Sequence, residues 1–326
     1  MSLERSNSKE LTPATPARLA VVIPCYNAAP WLERTINSVL AQIRPDTSDV
    51  DILIILADDG STDDSVAVAS GFGERVQILT GPNRGACHAR NAGLAAAEQE
   101  GIDYIVFLDA DDYYEGDPLI SARRLATERK ADMILSNMHM EYKDGTRKKR
   151  YRYSGQVEPE TFFDGWTRGD VVNPAGILWR TDFVRGIGAW DESLARAQDR
   201  EISLRAMFSR PLIWKNESGA GIYTRVNPNS ITMNQSFPAL ESRYRTTRSM
   251  VERARGTSFA PSIPLLCREI YYVARAAFRT GETALGREAL AFARNEGYRD
   301  HPGTLAHRLA TSVLGLEWKI RLWKGH

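Results

Sequence analysis

The stretch Tyr104-Ile105-Val106-Phe107-Leu108-Asp109-Ala110-Asp111-Asp112 restricts the fold of this chain more than any other. Its apolar half, rich in β-branched and aromatic side chains, has no polar face to show water and reads as a strand buried on both sides. The run then stops at a cluster of acids. In open α/β sheets, ligands lie in the crevice beyond the carboxyl ends of such strands. Asp109 and Asp111, separated by one small residue, can point into that crevice together. Mg²⁺ or Mn²⁺ is held by one or two such groups plus substrate phosphates. The plainer alternative is that both acids merely solvate a strand-to-turn exit.

The same pattern recurs upstream. Residues 19–23 form an apolar run closed by Pro24, with a loop through Asn27, which is expected to cap a helix over 30–42 carrying Trp31, Ile36, Val39 and Leu40 at helical spacing. Residues 51–57 form a second run, ending in Asp58-Asp59-Gly60-Ser61-Thr62-Asp63-Asp64 ahead of a helix over 65–70. A third strand over 76–79 leads through Asn83-Arg84-Gly85 into an alanine-rich helix over 86–100. Strand–helix alternation at this spacing predicts βαβ units, a mostly parallel sheet covered by helices on both faces, and three loops gathered at one sheet edge.

Beyond Pro118 the spacing predicts a helix over 119–130, a fifth strand over 132–136 and a hairpin turning at Lys143-Asp144-Gly145-Thr146, on which Lys148-Lys149-Arg150 reads as a solvated charge run. Asp199 and Glu201 fall in the first turn of a helix, where the dipole lowers an acid's pKa and is by itself a structural reason for the acid. From about residue 237 the pattern is helical only, over 243–255, 265–279, 283–295 and 304–324. The expected organisation is a disordered lead-in over 1–17, a catalytic domain over 18–236 split into halves at 117/118, and a helical region over 237–326.

Charge follows this division. Residues 241–326 hold 15 Lys and Arg against 8 Asp and Glu, leaving 27 against 33 for residues 1–240. A basic tail suits an anionic surface. In the last helix Leu305, Leu309, Val313, Leu316, Ile320 and Trp323 share one stripe flanked by Arg308, Lys319, Arg321 and Lys324. That composition fits a helix lying on an anionic bilayer. Packing on the body or on a second copy in a homo-oligomer is the competing expectation. No nucleic-acid partner is expected. Three widely spaced cysteines read as reduced, and neither a span of about 18 apolar residues nor a signal pattern occurs, so the expected address is cytoplasmic, including the inner face of the membrane. The five histidines lack ligand spacing, which excludes a zinc site, and no Ser/His/Asp triad is visible.

Four stretches in order, Val22-Ile23-Pro24-Cys25-Tyr26-Asn27, Asp58-Asp59-Gly60-Ser61-Thr62-Asp63, Asn83-Arg84-Gly85 with Ala89-Arg90-Asn91-Ala92-Gly93, and Phe107-Leu108-Asp109-Ala110-Asp111-Asp112, resemble the family 2 glycosyltransferases of GT-A fold. The resemblance covers residues 19–112 and extends more weakly to about 232. It implies an inverting, metal-dependent transferase that moves a sugar from a nucleotide diphosphate, a UDP-sugar by preference, to a glycan or glycolipid acceptor in surface-polysaccharide or glycolipid assembly. In that frame Pro24, Tyr26 and Asn27 floor the base and ribose, and Asp59 accepts from a pyrimidine N3–H. Asp58 and Ser61 shape the turn. Arg84 or Arg90 pairs with pyrophosphate or base, although an interior Arg90 bracing Asp58 would read the same. Asp109-Ala110-Asp111 matches the DXD motif, with Asp111 on Mn²⁺ or Mg²⁺ and Asp109 on ribose or the ion's water shell. The ion offsets charge developing on the leaving diphosphate.

Gln198-Asp199 resembles the family's Glu-Asp pair, whose second acid is the general base. The departure to Gln198 removes a charge beside the base and leaves the base itself. A His found in some relatives near the metal is replaced by Asn227, which leaves Arg225 or Ser230 to assist the phosphates. Trp166, Trp179 and Trp190 are candidates for stacking on acceptor sugars, with the core as their competing destination. Two other functions compete. A sugar nucleotidyltransferase would open with a glycine-rich basic loop after the first strand, which Pro24-Cys25-Tyr26-Asn27 is not. A non-catalytic sugar- or partner-binding relative is opposed by the joint retention of Asp59, Asp109, Asp111 and Asp199.

Overall fold

A computed structural model of the chain describes residues 18–150, 153–224, 235–301, 311–312 and 315–323. Strands β1 (Arg18–Cys25), β2 (Asp51–Asp58) and β3 (Val76–Thr80) run parallel and alternate with α1 (Ala29–Leu40), α2 (Ser65–Ser70) and α3 (Ala86–Gln99). The fourth strand, β4 (Tyr104–Phe107), pairs with β1 on its other side. Continuous apolar runs have nowhere polar to face. β1 and β4 are accordingly the most buried strands, sandwiched between helices.

The second half adds β5 (Tyr113–Glu115), α4 (Pro118–Arg129), β6 (Met133–Glu141), β7 (Arg147–Arg150), β8 (Gln156–Val157), α5 (Pro159–Thr167), β9 (Ile177–Arg180), α6 (Thr181–Gly186), α7 (Gln198–Met207) and β10 (Ile213–Thr224). The sheet order is β3-β2-β1-β4-β9-β6-β10-β5, with β7 on β6 and β8 on β10. What strand–helix alternation does not announce is β9, which runs antiparallel between β4 and β6. Its insertion leaves β4 and β6 parallel, so their carboxyl ends still share one edge. The hairpin over β6 and β7 forms as the turn residues predict, and Lys148 and Lys149 are solvated on it.

Helix α3 lies hard against β1. A Cβ added at Gly93 would sit 2.3 Å from Val22 Cγ1, closer than any side chain tolerates. Gly93→Ala is therefore expected to destabilise the fold by about 1–3 kcal/mol. A fall in the urea midpoint at unchanged slope checks this, and an unchanged midpoint would contradict it.

The C-terminal helices are α8 (Phe237–Ala254), α9 (Ile263–Thr280), α10 (Thr283–Asn295) and α11 (Leu316–Trp323). They are not a detached appendage: Leu240, Tyr244 and Met250 of α8 belong to the same buried cluster as the sheet. In α11, Leu316 and Ile320 join that cluster beside α9 and α10, and Glu317 pairs with Arg287 at 2.7 Å. For these residues the apolar stripe packs on the body, because α9 and α10 offer it a drier partner than a bilayer surface would. Among the described side chains of this helix, Trp318 stands out, 61% exposed. Leu305, Arg308, Leu309, Val313 and Lys324 lie outside the described residues. Among the described residues no helix is long and apolar enough to cross a membrane.

Candidate active site

The acidic turn after β4 is built from both sides. Leu108 N–H continues the ladder to Val22 at 2.9 Å, and Asp112 N–H closes the turn on the Asp109 carbonyl at 2.9 Å. The Thr35 hydroxyl of α1 lies 2.9 and 2.8 Å from the carbonyls of Ala110 and Asp112. At the end of β10, Thr224 donates its N–H to Asp112 Oδ1 (2.9 Å) and its hydroxyl to the Asp111 carbonyl (2.8 Å). Ala110 is buried as this scaffolding requires, while Asp109 and Asp111 remain half-buried at the crevice.

Asp112 turns the other way. It is 1% exposed, and its Oδ2 has no partner among the described residues. Burial first, then the like charges of Asp109 and Asp111, push its pKa well above the ordinary carboxylate range. The resemblance gives Asp112 no role, and no local signal separates it from its neighbours; only packing does.

Arg90, on α3, bridges the crevice. Arg90 is 5% exposed, and its guanidinium donates to Asp109 Oδ1 at 2.7 Å and to Gln198 Oε1 at 3.1 Å. It also lies 4.4 Å over the Trp190 ring, whose edge meets Phe107. Arg90 therefore braces Asp109 rather than Asp58, and it is closed to a base. Its neighbour Asn91 exchanges hydrogen bonds with the Trp190 backbone and donates to Glu192. Together they fasten the segment ahead of α7 to the first half of the sheet.

Asp199 lies in the first turn of α7, half-buried. The dipole expectation of a lowered pKa is reversed. Burial raises it to about 6; Arg90 pulls it down and Asp109 pushes it up. A dipole contribution falls below the cost of desolvating a carboxylate beside another acid. Gln198 hands its Nε2–H to Leu194 O at 2.8 Å and accepts from Arg90, so the departure from Glu places a neutral acceptor where a third anion would crowd Asp109 and Asp199.

The sheet edge beyond β1 and β2 is a set of interlocked loops. Pro24 is buried at the end of β1, whereas Tyr26 projects from the loop, 51% exposed. Asn27, at φ +50°, does not cap α1: its Oδ1 accepts from the N–H groups of Thr62 and Asp63 and latches the second loop. Asp58 accepts from Gly60 and Ser61 N–H and shapes that turn. Gly60 has φ +78°, and a Cβ there would meet Asn83 N at 2.9 Å. Asp59 takes the N–H groups of Arg84 and Gly85 at 2.7 and 2.8 Å, so its first partners are the loop itself. Arg84 is exposed and faces Glu192 at 3.7 Å across the mouth. Such a solvent-screened pair is worth little.

Other candidates fall elsewhere. Trp166, Trp179 and Trp190 are each at most 3% exposed. Trp179 stacks on Phe183 within the core, so none of the three presents a face to a sugar. Arg225, Asn227 and Ser230 lie outside the described residues. Among the described residues no group of three His, Cys, Asp or Glu side chains stands ready to hold a metal. Asp109 and Asp111 fit a divalent cation that takes its remaining ligands from water and a diphosphate. The push both exert on Asp112 marks a field that a cation would relieve.

The architecture is that of known transferases. The chain superposes on S. aureus TarS in complex with UDP-GlcNAc with a TM-score of 0.61 at 16% identity, covering 87% of this chain and 93% of that one. On the mannosyltransferase PcManGT of Pyrobaculum calidifontis, in complex with GDP-Man and Mn²⁺, the TM-score is 0.51 at 18% identity, over 96% and 84%. The fold is the GT-A fold of nucleotide-sugar glycosyltransferases, with a curled mixed sheet and C-terminal helices. Residues 20–184 match the model of glycosyl transferase family 2, and the chain belongs to that family. It is 27% identical to the uncharacterised glycosyltransferase EpsJ of Bacillus subtilis over 237 residues, 68% of this chain and 65% of EpsJ. It is 36% identical to the chondroitin synthase of Pasteurella multocida over 102 residues, 30% of this chain and 10% of that protein. The alignments thus span under two thirds of these relatives, some of which act in polysaccharide synthesis.

Proposed function

We propose that this chain is an inverting glycosyltransferase that uses a nucleotide-diphosphate sugar, a UDP-sugar by preference, and a glycan or glycolipid acceptor, with Asp199 as general base. The observation that carries the reading is the buried Arg90, which donates to Asp109 and to Gln198 across the crevice and so sets Asp199, raised to about 6, in the field of both charges. A base near that value is ionised at neutral pH yet strong enough to take a hydroxyl proton as the C1–O bond breaks. The acceptor oxygen attacks C1 on the face opposite the diphosphate, its proton passes to Asp199, and the anomeric centre inverts. Tyr26 offers the base a ring, and Arg84 can exchange Glu192 for a donor phosphate. Asp111 and Asp109 would hold Mn²⁺ or Mg²⁺, which supplies positive charge against the diphosphate leaving group.

The test is UDP binding by calorimetry. Mn²⁺ is expected to tighten UDP about tenfold or more, and Asp111→Asn to remove most of that gain. Affinity indifferent to metal in the unaltered chain would remove the metal from the reading. No UDP binding at all would remove the donor class.

A further inference from the structure

Helix α9 carries its charges unevenly. Its single acid, Glu269, is turned to Arg200 of α7 and Arg243 of α8. Its three arginines, Arg268, Arg275 and Arg279, share another face with Tyr272. Successive helical residues point about 100° apart, which puts these four positions within an arc of about 60°. Arg268, Tyr272 and Arg279 are exposed and Arg275 is half-buried, whereas Ile270, Tyr271, Val273, Ala274 and Ala277 are buried. The stripe is therefore the outer face of the helix.

Among the described residues, none of these three arginines makes an ion pair or a hydrogen bond. On the neighbouring helices Arg248 meets Glu252 and Glu288, Arg255 meets Glu296, and Arg287 meets Glu317. Arg275 also keeps its Nε buried without an acceptor, a desolvated donor that nothing among the described residues offsets. A face that serves solubility alone interleaves both signs of charge; this one carries a single sign.

Helix α11 extends the face. Leu316 and Ile320 are buried in the body and Glu317 is held by Arg287 of α10, which turns Trp318 outward. α11 packs on α9, and burial together with the charges of Arg275 and Arg279 lowers the pKa of Lys319, the residue after Trp318. An exposed indole and phenol beside unpaired guanidinium groups suit a layer of lipid headgroups. The rings settle at a boundary between apolar and wet, and guanidinium forks take phosphodiester oxygens. A nucleic-acid strand is tracked by a groove, whereas these side chains stand on the outer faces of helices, as a broad planar partner requires.

We infer that the outer face of α9, with Trp318 of α11, docks on a bilayer surface rich in anionic phospholipid. The apolar stripe of α11 is already buried in the body, so the contact is shallow and largely electrostatic.

The test is co-sedimentation of the full chain with phosphatidylcholine vesicles, with and without phosphatidylglycerol. Pelleting should require phosphatidylglycerol and weaken as salt is raised. The double variant Arg268→Gln, Arg279→Gln should bind about 25-fold more weakly, about fivefold for each basic side chain lost near such a surface. The double variant Arg248→Gln, Arg255→Gln changes net charge equally and should bind as the unaltered chain does. Trp318→Ser should weaken binding in high salt as well as low, because its share is not electrostatic. Tm and UDP affinity are expected to hold in the Arg268, Arg279 variant, which separates loss of docking from loss of fold. Pelleting indifferent to phosphatidylglycerol, or equal losses in the two double variants, would overturn the inference. So would failure to pellet combined with Arg268- and Arg279-dependent retention of an RNA oligonucleotide, which would assign the face to nucleic acid.

Discussion

Asp199→Asn is expected to lower kcat by about a thousandfold or more, with UDP affinity changed by no more than about twofold. On the proposed reading only the proton acceptor is removed, since the Asn amide fills the same space. In the unaltered protein kcat should fall about tenfold per pH unit below pH 6, where Asp199 becomes protonated. Stability moves oppositely. A carboxyl near 3.8 when unfolded and about 6 when folded binds more protons in the native state between those values. Its ionisation therefore costs stability as pH rises through that window, and the full cost remains above it. Asp199→Asn should accordingly be more stable at neutral pH, by on the order of 2 kcal/mol. A dead variant with a raised Tm separates loss of chemistry from loss of fold. Turnover that survives the substitution would place the base elsewhere.

Arg90→Met is expected to damage both fold and pH profile. Asp109 loses its 2.7 Å partner and Gln198 its donor, while two carboxylates stay close without the cation between them. Removing one partner from a buried pair costs about 3–5 kcal/mol, with the lower end apt here because Asp109 keeps 29% of its side chain exposed. Arg90 also lowers the Asp199 pKa, so the acid limb of the rate profile should move to higher pH. Urea denaturation and the pH–rate profile check the two parts. An unmoved limb would mean that Arg90 serves packing alone.

Much of this was legible before any coordinates. Apolar runs closed by acids at residues 58 and 109 announced strands, their direction and the edge where the acidic loops gather, because burial on two faces leaves no other use for such runs. Helix limits over 65–70 and 283–295 follow from spacing and agree with α2 and α10. Partners were less legible. Asn27 at the end of β1 reads as a helix cap, yet a left-handed backbone turns its oxygen to a loop 35 residues away. Trp190 reads as either a sugar platform or a core ring, and packing makes it the floor beneath Arg90.

Local pattern alone determined the helix-covered sheet, the strand-end acids and an acid in the first turn of α7, since these depend on burial periodicity and short-range hydrogen bonding. Tertiary structure decided which charges share a field: Arg90 meets Gln198 across 108 positions of chain, Asp112 is turned inward among like charges, and Arg200 faces α8 and α9. The reason is physical. A carboxyl's pKa depends on the distance and dielectric between it and other charges, and only packing brings such remote groups within a few ångströms.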